Sequence, residues 1–166
     1  LEGARRAHAL GMKTVLNPSP LPAGKLPPLD FVDYLFVNEV EAASLVGMAK
    51  SDLEGLAKGV LQATSARNVI VTLGSDGSCA LTEEGEFLTI DPVKVENVVN
   101  TAGAGDGFMA ATVANLVWGK TLREAMEWAS YYSALAVTID GTIPAYRPLG
   151  EVNAFIKGHQ CEKCEE

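Results

Sequence analysis

The chain has 166 residues, the size of one domain, and 48% of them are hydrophobic, enough for a core and against disorder as the default state. Lys plus Arg numbers 13 against 21 Asp plus Glu, giving a net charge of −8 and a pI near 4.8. That balance counts against nucleic acid as a partner, because phosphate contacts need clustered cations. No apolar run approaches the roughly 20 residues that span a bilayer, and no secretory signal is visible at the start, so no membrane partner is expected. Three cysteines, Cys79, Cys161 and Cys164, make no disulfide framework, so a reducing cytoplasm is the expected location.

Leu1 to Leu10 reads as a helix ending at Gly11, with no cap before it, as though the chain began inside an element. Met12 to Leu16 is a short strand. Asn17 to Pro28 holds five prolines and must be loop. Tyr34 to Val37 is a second strand, and Asn38 caps a helix that Gly47 stops. Another helix spans Asp52 to Thr64, weakened by Gly55 and Gly59. Asn68 to Thr72 is a third strand. Ser78 to Thr82 and Glu86 to Ile90 form a hairpin around Gly85.

Thr101 to Gly107 is a glycine-rich turn. Phe108 to Trp118 is an almost wholly apolar helix, expected to be buried on most sides. Thr121 and Glu124 form a capping box for a helix running to about Val137. Pro144 and Pro148 break the chain before a last short helix near Glu151 to Lys157, and residues 159–166 form a charged tail. Strands alternating with helices imply a mostly parallel sheet with helices on both faces. In such sheets ligands bind beyond the carboxyl ends of the strands. The polar segments NPSP, NEVE, TLGSDG and NTAGAGD mostly follow strands, which suits one shared site.

The segment Asn100 to Phe108 (NTAGAGDGF) carries the most chemistry. Gly103 and Gly105 let backbone approach a ligand closely, and the following helix offers unpartnered N–H groups and a dipole that favour an anion. Asp106 puts a carboxylate at the same place. That pairing suits phosphoryl transfer, where a hydroxyl needs a base and the moving group needs fixed donors. Read locally, the pattern is equally that of a glycine turn whose Asp106 stabilises a helix N-terminus.

GAGD running into an apolar helix resembles the second signature of the ribokinase-like (PfkB) carbohydrate kinases, approximately D-T-x-G-A-G-D-x-F. Asn17 to Pro20 (NPSP) is similar to that family's N-P-x-P loop, and Asn38 to Glu41 (NEVE) to its N-x-x-E motif. Thr72 to Gly77 (TLGSDG) is similar to its T-x-G-x-x-G stretch, and Thr121 to Thr138 to the helix beside the adenine. The resemblance covers the chain to about Leu149. It implies a three-layer, Rossmann-like α/β fold of the ribokinase type, of which residues 1–158 are the C-terminal, nucleotide-binding portion. It implies Asp106 as catalytic base and Gly103, Ala104 and Gly105 as the anion hole. ATP would be lined by Asn38, Thr72, Gly74, Ser75, Gly77, Gly105 and Ser130, with Glu41 acting on Mg2+ through water. The acceptor would be a small sugar-like alcohol.

Three departures stand out. Asn100 replaces the Asp that in many members helps hold a monovalent cation; its amide oxygen can ligate a cation but brings no charge. Ser130 replaces an Asn that close ribokinase relatives often carry near the nucleotide. The resemblance does not extend to the family's N-terminal half, with its first signature, most sugar contacts and lid, so the isolated chain is expected to be inactive by itself and to self-associate or pair with that half. Alternatives are an inactive nucleotide-binding or assembly fragment, or a kinase for a nucleoside, a ketodeoxy sugar acid or a sugar phosphate. Cys161 and Cys164 form a lone CxxC that, even with His159, cannot complete a zinc site. Trp118, Trp128, Tyr131 and Tyr132 are expected in core or interface packing, with Tyr131 or Tyr132 near an adenine pocket.

Overall fold

The computed structural model describes residues 1–22, 26–48 and 52–162. They fall into two compact units, Leu1–Thr89 and Ile90–Glu166. Part of the proline-rich loop and the last residues of the expected charged tail, Cys164 among them, lie outside the described residues.

The first unit contains α1 (Glu2–Ala9), β1 (Val15–Leu16), β2 (Tyr34–Asn38), α2 (Glu39–Val46), α3 (Leu53–Thr64), β3 (Asn68–Thr72), β4 (Ser78–Leu81) and most of β5 (Phe87–Ile90). The sheet order is β1-β2-β3-β4-β5. β1, β2 and β3 run parallel, and β4 returns antiparallel to β3. Alternation sorts the strand residues. Leu35, Val37, Val69, Val71, Cys79 and Leu81 join one core with Leu56, Ala57 and Val60 of α3. Strand residues of the other parity, Phe36, Ile70 and Ala80, are also buried, so the sheet is covered on both faces. The Cys79 thiol lies in this core, and burial pushes its pKa up to about 11.

Asp33 anchors the amino ends of the strands. It is 3% exposed, accepts from the Thr14 N–H at 2.8 Å, and meets the Lys13 ammonium at 3.2 Å and the His8 ring at 3.7 Å. Burial alone would raise its pKa. The Thr14 N–H, the Lys13 ammonium and the Thr14 hydroxyl outweigh burial and hold it below the ordinary value. Its carbonyl accepts from the Asn68 side chain at 2.8 Å, so the same residue ties β1, β2 and β3 together.

The second unit contains α4 (Ala104–Val117), α5 (Leu122–Ala136), the short α6 (Thr142–Ala145) and α7 (Leu149–Glu162). α4 packs on α5, and α5 on α7. Thr121 and Glu124 form the expected capping box. Four expectations need correction. α4 starts at Ala104, not Phe108, so the glycine-rich segment is its first turn. It is buried along one face only, through Gly107, Phe108, Ala111, Thr112 and Asn115. Val117 and Trp118 at its end are 79% and 60% exposed, so Trp118 is not a core residue. α6 contains Pro144, which a helix tolerates in its first turn because the missing N–H has no partner there. α7 runs on through Glu162, into the segment expected to be tail. Among the described residues no helix is long and apolar enough to cross a membrane.

The folded pKa of Asp33 lies below its unfolded value, so its stabilisation is complete above roughly pH 4 and is lost as pH falls through the folded value. Asp33→Asn is expected to lower unfolding free energy by about 2 kcal/mol at neutral pH. It should also flatten the acid limb of stability measured by urea denaturation between about pH 5 and pH 2. Parallel acid limbs for parent and variant would contradict this account.

Candidate functional site

The candidate residues form two groups, one in each unit. In the first unit they collect where β2 and β3 end. Asn38 and Thr72 are register partners on adjacent parallel strands, so they stand side by side at the carboxyl edge. Asn38 also caps α2. Its side chain accepts from the Glu41 N–H at 2.8 Å, and the Glu41 carboxylate accepts from the Asn38 N–H at 2.9 Å. The NEVE motif is therefore a complete capping box, in which Glu41 Oε2 is engaged and Oε1 has no partner among the described residues. Past Thr72 the chain makes a single 3-10 turn over Gly74–Asp76 and leaves it through Gly77 at φ 90°, ψ −133°, a conformation that only glycine adopts readily. The Leu73 N–H closes the loop on the Gly77 carbonyl at 2.9 Å. Ser75 and Asp76 are exposed at its tip. In the N-P-x-P segment Asn17 accepts from the Ser19 N–H at 3.0 Å, an Asx turn that shapes the chain after β1.

In the second unit the candidates gather at the start of α4. Gly103 is the N-cap, with φ 81°, and has no side chain to cap the helix. A Cβ placed there would stand 2.5 Å from Thr142 Cγ2 and 2.8 Å from the Tyr146 hydroxyl. Gly107 has a similar reason to be glycine, since its Cβ would lie 3.0 Å from the Tyr132 ring. Gly105 has no such reason: a Cβ there would meet nothing within 4 Å. The Ala104 N–H donates to the Thr101 carbonyl at 3.2 Å, and the Gly107 N–H to the Gly103 carbonyl at 2.8 Å. Between them, the N–H groups of Gly105 and Asp106 have no acceptor among the described residues. The Asp106 side chain is exposed and makes no hydrogen bond or ion pair among the described residues. Two free donors, the positive end of a fourteen-residue helix and a free carboxylate thus share one open turn.

Asn100 braces this turn. Its side-chain oxygen accepts from the Ala102 N–H at 2.9 Å and its amide nitrogen donates to Asp140 at 3.2 Å. The Ser130 hydroxyl donates within its own helix to the Met126 carbonyl at 3.1 Å. Sequence reasoning missed Ser133, one turn further on, whose hydroxyl donates to the Ala104 carbonyl at 3.0 Å. It also missed Thr142 and Tyr146 of the α6 segment, which wall Gly103. No spacing signals such contacts, because they join residues about thirty to forty positions apart. Tyr132 does take part, though as a packing ring under Gly107, and it stacks on Trp128 with centroids 5.9 Å apart. Burial, then Tyr146, raises the pKa of its phenol. Tyr131 sits edge-on to His159, whose ring nitrogens face the Phe155 and Lys94 carbonyls. Among the described residues no group of three His, Cys, Asp or Glu side chains could hold a metal ion directly.

The pfkB family carbohydrate kinase pattern matches residues 2–148. The chain belongs to that family. It is 31% identical over 152 residues to a ribokinase of Schizosaccharomyces pombe, covering 89% of the chain and 48% of that protein. It is 35% identical over 136 residues to a 1-phosphofructokinase of Haemophilus influenzae, covering 79% of the chain and 42% of that protein. The structure of Arabidopsis thaliana ribokinase complexed with ribose and ATP superposes with a TM-score of 0.81 at 28% identity, over 93% of this chain and 50% of that one. The fold is therefore the ribokinase-like α/β fold. The chain spans about half the length of the curated relatives it matches.

Gly103 and Gly105 should separate in mutagenesis. Gly105→Ala is expected to leave stability unchanged or raise it by about 0.5 kcal/mol, since Ala suits a helix better. Gly103→Ala should cost about 2 kcal/mol or more, from positive φ and from the clash with Thr142 and Tyr146. Chemical denaturation of both variants checks this, and equal losses would refute the distinction.

Proposed function

We propose that the chain carries the ATP-binding and phosphoryl-transfer part of an ATP-dependent sugar kinase, with an alcohol as acceptor. The observation that carries this reading is the α4 entrance, where unpartnered N–H donors and the free Asp106 carboxylate meet beside a glycine with no packing reason to be one. Family membership supplies the reaction class. Asp106 takes the proton from the attacking hydroxyl. In the Gly103–Ala104–Gly105 turn the Ala104 N–H already bonds the Thr101 carbonyl, so the free Gly105 N–H, with the Asp106 N–H beside it and the helix dipole, stabilises charge on the transferring group. Asn38, Thr72, Gly74, Ser75 and Gly77 are the first unit's candidates for contacting the nucleotide, and Gly105 and Ser130 are the second unit's.

Magnesium fits this donor set in one way. Glu41 has one carboxylate oxygen without a partner among the described residues and belongs there to no group of three metal-ligating side chains, which suits a contact through water to an ion otherwise held by phosphates. Bound there, the ion would neutralise phosphate charge. Asn100 offers a monovalent cation only an uncharged amide oxygen already engaged with the Ala102 N–H. The acceptor is a small sugar or a relative of one; the likeness to a 1-phosphofructokinase keeps sugar phosphates in this reading. The β1 edge of the sheet, with Leu10 and Met12 exposed nearby in sequence, supports association of the chain through that edge. A single monomeric species in sedimentation at micromolar concentration would count against that association.

Phosphoryl transfer from ATP to a panel of sugars, measured in a version of the protein that spans the full family length, tests the main reading. Asp106→Asn should cut kcat by about a hundredfold or more, while calorimetry finds ATP affinity changed by less than about threefold. Retention of most of the parent rate would remove Asp106 from the role of base.

A further inference from the structure

Two consecutive carbonyls at the α4 entrance are held from behind. The Ser133 hydroxyl donates to the Ala104 carbonyl at 3.0 Å, and the Tyr146 hydroxyl lies 3.4 Å from the Gly103 carbonyl. A peptide unit is planar and trans, so its C=O and N–H point in opposite directions. The Ala104 carbonyl and the Gly105 N–H belong to one such plane, and fixing the first aims the second. In the preceding plane the Ala104 N–H is already engaged by the Thr101 carbonyl at 3.2 Å. The Gly105 N–H is therefore the first donor of the helix with no acceptor among the described residues, and it stands at the open position of the turn.

The Ser133 contact is not a local helical habit. Serines inside helices commonly bond the carbonyl one turn back, as Ser130 does with Met126 at 3.1 Å. Ser133 instead reaches from α5 to the first turn of α4, across 29 positions of sequence. We propose that Ser133 is a positioning residue, whose hydrogen bond to the Ala104 carbonyl holds the Gly105 N–H toward a tetrahedral phosphoryl anion. This rests on the reading of Gly105 as a phosphoryl donor given above. Ser133 itself does not touch the anion. It adds a second hold on the Ala104 carbonyl, beyond the bond that the helix makes there, and so limits rotation of the Gly105 N–H away from the anion.

The test uses the 15N-labelled chain titrated with inorganic phosphate, with the Gly105 and Asp106 amide resonances followed by NMR. In the parent both resonances should move saturably. Ser133→Ala should raise the apparent Kd for phosphate by about fivefold, the value of one such hydrogen bond, and Ser133→Thr should restore it. Thermal unfolding of each variant reports whether the fold survives. If Ser133→Ala fails to fold, Ser133→Cys, close in size and a weaker donor, should give an intermediate Kd. A parental Kd in whichever of these variants folds overturns the assignment, and so does a parent whose Gly105 resonance ignores phosphate. If the titrations behave as expected but a version of full family length transfers no phosphoryl group from ATP, the kinase reading fails while the role of Ser133 stands.

Discussion

The close approach of aromatic rings to backbone at Gly103 and Gly107 is the constraint on which the α4 entrance depends. Tyr146 and Thr142 fill the space where a Cβ of residue 103 would lie, and Tyr132 fills it at residue 107. Packing at these two positions seats the first turn against its neighbours within the unit. It also permits a helix to start through a stretch whose intrinsic propensity is poor. Because Gly103 brings no capping side chain, the chain leaves two N–H groups unanswered at this point. Where a capping side chain is present, as in α2 and α5, it takes up one of those first N–H groups itself.

The first unit divides its polar groups between the two ends of the parallel strands. At the amino ends Asp33, Thr14, Lys13 and Asn68 satisfy one another, and the arrangement is accounted for by stability alone. At the carboxyl ends Asn38 and Thr72 stand in register, followed by a glycine-shaped loop with an exposed tip. That is the end of an α/β sheet at which ligands bind. Asn38 and Glu41 serve stability directly and are proposed to serve the ligand as well. Their reciprocal bonds start α2 and also hold the free Glu41 oxygen in one orientation, so structural and functional readings of this motif are complementary.

Much of the fold was legible in the sequence because its signals are local. Asn68 to Thr72 is a strand with the expected ends, the Thr121–Glu124 capping box falls on the residues whose spacing announced it, and Asn38 is the expected N-cap. The hairpin at Gly85 likewise follows from turn chemistry. Reading failed where a local rule was overridden. Three glycines in five residues suggested a turn up to Gly107, yet packing makes most of that segment helix. Pro144 suggested a break, yet it occupies a first turn. The apolar run after Phe108 suggested burial on most sides, yet Val117 and Trp118 face outward.

The motif residues around Asp106, Asn38 and Thr72 and the family to which they belong were determined by the sequence itself, since residue type at fixed spacing carries that information. Only the tertiary structure decided which glycines of the turn serve packing and which is left open. It alone showed that Ser130 bonds within its own helix while Ser133 reaches the Ala104 carbonyl. The physical reason is one of range. A helix face or a cap is set by neighbours within about four residues. The contacts that meet the backbone at the start of α4 come from side chains tens of residues away in sequence.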